Sequence, residues 1–238
     1  MIYVLYHGYV DIYIWEYFLS FFYIIGLYVW FSRIKNIHIK AHPEYKYFIW
    51  GFLAKVIGGM IFALVYFYHY KGGDSIMYFY STVSSSKLMF DSPLSWIKVM
   101  LGENTMENWN LFNMETGYPY QYIYFDSRTW MVIRLLDPLV TIAFRSYLVT
   151  TVMLASAAYM GVWRCFRMFV GYFPSQTGQL AMAFLFVPSV IFWGSGVGKD
   201  TFTFSGTCFF VYAVHQWFCK RNRSFGTVLG GLLSASLV

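Results

Sequence analysis

Residues 12–31 form a stretch of twenty in which Glu16 is the one formally charged side chain. A helix rises about 1.5 Å per residue, so about twenty apolar residues match the hydrocarbon core of a bilayer. The pattern recurs. Residues 47–68 carry only Lys55, and further apolar regions cover 139–163, 180–193 and 201–218. A last run begins at Gly226 and reaches Val238 short of spanning length, so further spans are expected beyond it. The chain is 58% hydrophobic and 12% charged, against about 25% charged in soluble domains. The expected fold class is therefore all-α: a polytopic transmembrane helix bundle with about five complete spans, a partial sixth and a long outer loop carrying short interfacial helices. Three segments follow: 1–68, the first two spans with a basic loop; 69–138, an aromatic-rich outer loop; and 139–238, spans three to six.

Charge orients this bundle. Arg33, Lys35, Lys40 and Lys46 follow the first span, Arg164 and Arg167 the third, and Lys220, Arg221 and Arg223 the fifth. An alternating topology puts these clusters on one face, which the positive-inside rule makes cytoplasmic. Asp74, Asp91, Glu103, Glu107, Glu115, Asp126, Asp137 and Asp200 then fall on or near the outer face, together with the N-terminus. The expected location is a bacterial inner membrane, crossed several times. The N-terminus lacks a basic n-region and a small-residue cleavage site, so no cleavable signal peptide is expected. The formal charge of +6 does not indicate nucleic acid, because the bases sit in short clusters beside apolar runs. Cys165, Cys208 and Cys219 show neither CxxC nor Cys/His spacing, and five scattered histidines add no metal constellation.

The outer loop is too rich in Trp, Tyr and Phe for a solvated linker. DSPLSWIKVMLGE reads as an interfacial helix with Ser92 as N-cap and Pro93 at its first position. SRTWMVIRLLDP, residues 127–138, reads as a second such helix, carrying Arg128 and Arg134.

Two glycine-flanked turns hold the residues best suited to chemistry. In KGGDSIMYFY, Asp74 follows two glycines that allow a sharp turn at the outer mouth. Its carboxylate is placed to act as a general base or to hold a divalent cation; it equally suits the N-cap of a short helix. In GSGVGKDT, Lys199 and Asp200 begin the fifth span. The segment is not a phosphate-binding P-loop, because Trp193 stands where the first glycine is required and Asp200 where Ser or Thr is required. A lysine at a helix N-terminus cradles a lipid phosphate; the alternative is a capping aspartate beside a snorkelling lysine. Arg134 and Arg145 add cations on the outer approach to the third span, with Arg145 expected inside the apolar register and a salt bridge to Asp137, Asp74 or Asp200 as the alternative to substrate binding. Glu16 and Lys55 are expected to pair across the first two spans.

KGGDSIMYFY resembles the first-outer-loop aspartate region of polytopic lipid-dependent glycosyltransferases of the GT-C type. PSVIFWGSGVGKDTFTFSG resembles a PS-x-x-FW-SSG-x-x-KD stretch of bacterial polyprenyl-sugar transferases and O-antigen-polymerase-like membrane proteins. Together the two stretches cover about an eighth of the chain, which lacks the tandem carboxylates often seen in the first loop of such enzymes. The resemblance implies a transferase acting on a polyprenyl-phosphate-linked sugar at the outer membrane face. Asp74 would be its catalytic or metal-linked carboxylate, and Lys199 and Asp200 would lie near the lipid phosphate. Arg134 or Arg145 would add charge neutralisation. The expected partners are membrane lipids, the polyprenyl-phosphate sugar donor and neighbouring membrane proteins. The alternative from another class is a non-catalytic integral subunit of a secretion or export assembly, with the aromatic loop as its docking surface.

Overall fold

The computed structural model describes residues 12–220 and 230–231, and every regular element among them is helical. In chain order these are α1 (Ile14–His38), a 3-10 turn (Pro43–Tyr47), α2 (Phe48–Leu64) running into a π-helical turn (Val65–His69), α3 (Asp74–Asp91), α4 (Pro93–Leu101), α5 (Met106–Trp109), α6 (Gln121–Tyr124) and α7 (Ser127–Ile142). Then follow α8 (Tyr147–Tyr172), a 3-10 turn (Pro174–Gln176), α9 (Thr177–Leu185), α10 (Pro188–Trp193) and α11 (Lys199–Phe218). Among the described residues, three helical stretches are long and apolar enough to cross a membrane: Ile14–His38, Pro43–His69 and Tyr147–Tyr172.

The chain folds as two compact units that interleave in sequence: Met1–Ser20 with Ala63–Thr150, and Phe21–Phe62 with Thr151–Val238. In the first unit, α3 packs against α7 and α4, and α6 and α5 complete the layer. The packing face of α3 combines small hydroxyl residues with apolar ones: Ser75, Ser81, Thr82, Ser84, Ser85 and Ser86 are all buried, alongside Ile76, Tyr78, Phe79 and Leu88. Small side chains let helix backbones approach closely. Their hydroxyls find partners within the unit: Ser75 Oγ meets Tyr147 Oη at 2.7 Å, and Ser81 Oγ accepts from the Tyr120 amide at 3.1 Å. Beneath α4 and α5, the rings of Trp109, Phe112, Tyr118, Tyr124, Phe125 and Trp130 form a contiguous cluster. Part of the aromatic content of residues 69–138 thus lies in a packed core.

The second unit centres on Phe31, Phe48, Phe52, Tyr159, Trp163 and Phe166. Phe31 stacks on Phe52 with ring centroids 4.5 Å apart, and Tyr159 Oη donates to the Phe48 carbonyl at 2.6 Å. Such ring pairs each add about 0.5–1.5 kcal/mol beyond the area they bury. Glycines set the closest approaches: a Cβ on Gly58 would strike the Ile191 backbone, and one on Gly161 the Ser205 backbone.

Several expected boundaries move. α4 forms where a short helix is expected, with Ser92 in the N-cap position and Pro93 opening it. α7 does not stop at Pro138 but runs through it to Ile142. The expected third span at 139–163 is therefore divided. Phe144 and Arg145 adopt left-handed φ values of 54° and 59°, breaking the chain before α8 starts at Tyr147. The expected fourth span at 180–193 is two helices, of 9 and 6 residues, interrupted before Pro188. Proline restricts the residue before it to extended backbone, and Val187 adopts ψ 121°. The expected fifth span is one 20-residue helix, α11, whose Thr203, Ser205, Thr207 and His215 dilute its apolar character. The run from Gly226 lies, apart from Gly230 and Gly231, outside the described residues.

Candidate functional site

The turn before α3 is conformationally costly. Lys71, Gly72 and Gly73 have φ values of 51°, 156° and 93°, a sequence of positive values that only glycine adopts readily. It follows directly on the π-helical turn at Val65–His69, and together they redirect the chain so that Asp74 opens α3. The N-cap is Gly73, and Asp74 takes the first helical position of an 18-residue helix, replacing the short capped helix expected from sequence. Asp74 is exposed. Negative charge in the first turn of a helix is favoured by the helix dipole, and the carboxylate is accessible. Tyrosines surround it. The Tyr66 ring lies against Gly73, and Tyr70 packs on Tyr66 with centroids 5.3 Å apart. Tyr122 feels the Asp74 charge: partial burial first, then this carboxylate, push its phenol above the ordinary value. An exposed acid amid aromatic faces suits recognition of a polyhydroxylated ligand.

Arg134 and Arg145 belong to a different part of the same unit. Arg145 is not inside a helix but at the left-handed break, where it is exposed. Its Nε donates to Ser86 Oγ at 3.3 Å, and its guanidinium lies 5.3 Å from the Phe90 ring centre. Ser86 is twelve residues along α3 from Asp74, about 18 Å at the helical rise. That separation exceeds the span of one phosphate site. Arg134 donates through its Nη2 to the Gly102 carbonyl at 2.6 Å and to Asn104 Oδ1 at 3.3 Å, tying α7 to the end of α4.

Asp137, one turn beyond Arg134, is 1% exposed. Its Oδ2 accepts from Trp96 Nε1 at 3.1 Å. Its expected salt bridge with Arg145 is not formed: the ion pairs among the described residues involve Glu44 with Arg167 and His42. Burial raises the Asp137 carboxyl from 3.8 to about 6, opposed by Ser85, Trp96 and the charge of Arg145. Asp137 and Arg134 both line a cavity of about 520 Å³ whose other walls are Met89, Trp96, Met100, Leu101, Met131, Pro138, Thr141 and Ile142. Sequence reading named Asp137 only as a partner for Arg145. The available signal was an acid and a base at i and i+3, followed by a proline inside an amphipathic stretch.

Lys199 and Asp200 belong to the other unit. They open α11 as expected, and both are exposed. The turn before them is buried from Gly194 to Val197. Thr201 Oγ1 donates back to the Gly196 carbonyl at 2.6 Å, fixing the turn. Lys55 does not pair with Glu16. It is buried and donates to the Gly194 carbonyl at 2.5 Å and the Val190 carbonyl at 3.3 Å, capping the end of α10. Glu16 instead accepts from Ser146 Oγ at 2.7 Å and the Tyr147 amide at 3.0 Å, at the start of α8.

Among the described residues no three of His, Cys, Asp and Glu converge as a metal-binding group. A divalent cation at Asp74 would have to draw its remaining oxygens from water or a ligand. Comparison of the chain with family models, curated proteins and solved structures returns no match.

Proposed function

We propose that this chain is a multi-pass membrane glycosyltransferase or polymerase-like protein that uses a polyprenyl-phosphate-linked sugar at the outer face of a bacterial inner membrane. Three apolar helices of spanning length support the membrane setting. In the full reading α11 and the run from Gly226 also enter the bilayer, the basic loops face the cytoplasm and the N-terminus faces out.

The observation that carries the reading is the Asp74 turn. A strained Lys71–Gly73 backbone presents an exposed carboxylate at the head of α3, bordered by Tyr66, Tyr70 and Tyr122. In the proposed step the Asp74 carboxylate takes the proton of an acceptor hydroxyl. The oxygen bonds to the anomeric carbon as the carbon–phosphate oxygen bond breaks, and the lipid phosphate leaves with the electron pair. Aromatic faces hold the sugar rings. General-base catalysis of this kind contributes about 10²–10⁴-fold.

The test is Asp74→Asn in the native membrane, with glycan assembly and protein abundance measured together. The proposal expects glycan transfer to fall by at least about 100-fold at unchanged abundance. Intact transfer, with loss of a co-purifying complex instead, would overturn it in favour of a non-catalytic membrane subunit. Lys199→Ala is assayed separately: the resemblance assigns that residue to the lipid phosphate, so its loss should raise the donor KM more than it lowers kcat.

A further inference from the structure

The second unit holds two thiols that the proposed transfer chemistry does not use. Cys165 on α8 and Cys208 on α11 are 4% and 6% exposed, belong to one core cluster and lie within hydrogen-bonding reach of each other. Contacts on either side fix this pairing. Ser205 Oγ donates to the Ala158 carbonyl at 2.9 Å, and a Cβ on Gly161 would stand 2.7 Å from the Ser205 carbonyl oxygen. At the level of the cysteines, the Arg164 guanidinium lies 4.9 Å from the Phe209 ring centre. Further on, the Tyr172 hydroxyl lies 2.8 Å from His215 Nε2. Partner residues advance in the same direction along both helices, so α8 and α11 run parallel, with Cys165 held opposite Cys208.

A disulfide needs Cα atoms about 4.4–6.8 Å apart, a separation that only closely packed helices provide. Gly161, one turn before Cys165, and Ser205, one turn before Cys208, give that approach. Among the described residues no third His, Cys, Asp or Glu joins the pair as a metal ligand, which points to thiol oxidation as its chemistry. Two thiols and a disulfide are all uncharged, so the link forms here without leaving a charge buried. The thiolate is the nucleophile in disulfide formation. The charge of Lys55 acts on Cys208, and offsets that of the thiolate as it forms. The surroundings also set the oxidant. Val152, Val162 and Phe166 belong to the same buried cluster, so a molecule reaching the sulfurs must be uncharged and soluble in lipid.

We propose that Cys165 and Cys208 form a disulfide that fastens α8 to α11, made by an uncharged, lipid-soluble two-electron oxidant of the quinone class. The sulfur–sulfur bond forms as two S–H bonds break. The two protons and two electrons pass to the quinone, which leaves as the quinol.

The probe is duroquinone, whose fully substituted ring accepts two electrons without alkylating thiols. It is applied to the full chain in lipid nanodiscs after the exposed Cys219 is blocked with maleimide. Mass spectrometry is expected to find the peptides of Cys165 and Cys208 linked, two hydrogens lighter than the free thiols and separated by dithiothreitol. Ferricyanide, charged and excluded from lipid, should form the link at least about tenfold more slowly. The linked chain should melt at least about 5 °C above the reduced chain, since the cross-link constrains the unfolded state. Cys208→Ser should show neither the link nor the oxidant-dependent shift. If that variant does not fold, the linked peptide and the melting shift of the unsubstituted chain decide alone. Both thiols still open to alkylation after quinone treatment and unfolding would overturn the proposal, as would a link that leaves melting unchanged. Ferricyanide matching the quinone would overturn the assignment of a lipid-soluble oxidant. No glycan enters the readout, so its outcome and that of Asp74→Asn are separable.

Discussion

Asp137 illustrates how one buried side chain can lower stability in a pH-dependent way. Its carboxyl is raised from 3.8 to about 6 by burial, so the folded state holds the proton more tightly than the unfolded chain. Between about pH 4 and pH 6 the folded state binds more protons, and stability falls as pH rises through that window, then levels off. Each unit is worth about 1.4 kcal/mol, so the ionised group costs on the order of 2–3 kcal/mol at pH 8. Asp137→Asn keeps an acceptor for Trp96 without the charge. It should melt several degrees above the unsubstituted chain at pH 8 and show little difference below about pH 3.5, as measured by thermal unfolding in detergent. Glu16 contributes stability through its contacts, since its carboxylate accepts from Ser146 Oγ and the Tyr147 amide at the N-terminus of α8. Glu16→Ala should cost about 2 kcal/mol, the loss of a charged acceptor from buried donors. Glu16→Gln should cost less, because the amide oxygen still accepts from Ser146 and Tyr147, and melting temperatures of the two variants compare them directly.

At the scale of elements, glycine positions decide which helices can touch. Gly58 meets the Ile191 backbone, whereas nothing lies within 4 Å of a Cβ placed on Gly26. Gly58→Val should therefore lose the α2–α10 approach and lower the melting temperature by several degrees, and Gly26→Ala should leave it within about 1 °C, in line with ordinary surface substitutions. Much of this level was legible in the sequence. α1, α2 and α4 lie close to where hydropathy and Ser92–Pro93 place them. The division of the third apolar region was not, because hydropathy sums side chains and is blind to the left-handed backbone at Phe144 and Arg145. α3 was missed as a long helix for a related reason: its buried face is rich in serine and threonine, which reads as loop composition but packs well where backbones must approach. Of the site residues, Asp74 and Lys199 were legible from the glycines before them. The cavity was not, since it is made where Trp96 on α4 meets Asp137 on α7, a pairing forty-one residues apart that no local pattern encodes.

At the scale of the whole molecule, the proposed orientation makes a prediction that needs no engineered reporter. Cys165 and Cys208 are buried, and Cys219, beyond the end of α11, is exposed. A membrane-impermeant maleimide should leave intact spheroplasts unlabelled and label the protein in inverted vesicles, with Cys219 as the modified residue by mass spectrometry. Labelling from the outer side would invert the orientation and place Asp74 toward the cytoplasm. The contact between Lys55 and the end of α10 also has a consequence for how the chain is made. The lysine precedes its Val190 acceptor by 135 residues. At about 5–20 residues per second of synthesis, that is an interval of roughly 7 to 27 s. During it, α2 must be accepted by the bilayer with a cation that has no carbonyl to serve, against an insertion cost of about 2.5–3.5 kcal/mol for a centrally placed lysine. The strongly apolar residues around Lys55 offset that cost, so the nascent helix holds its lysine in place for a partner still being translated.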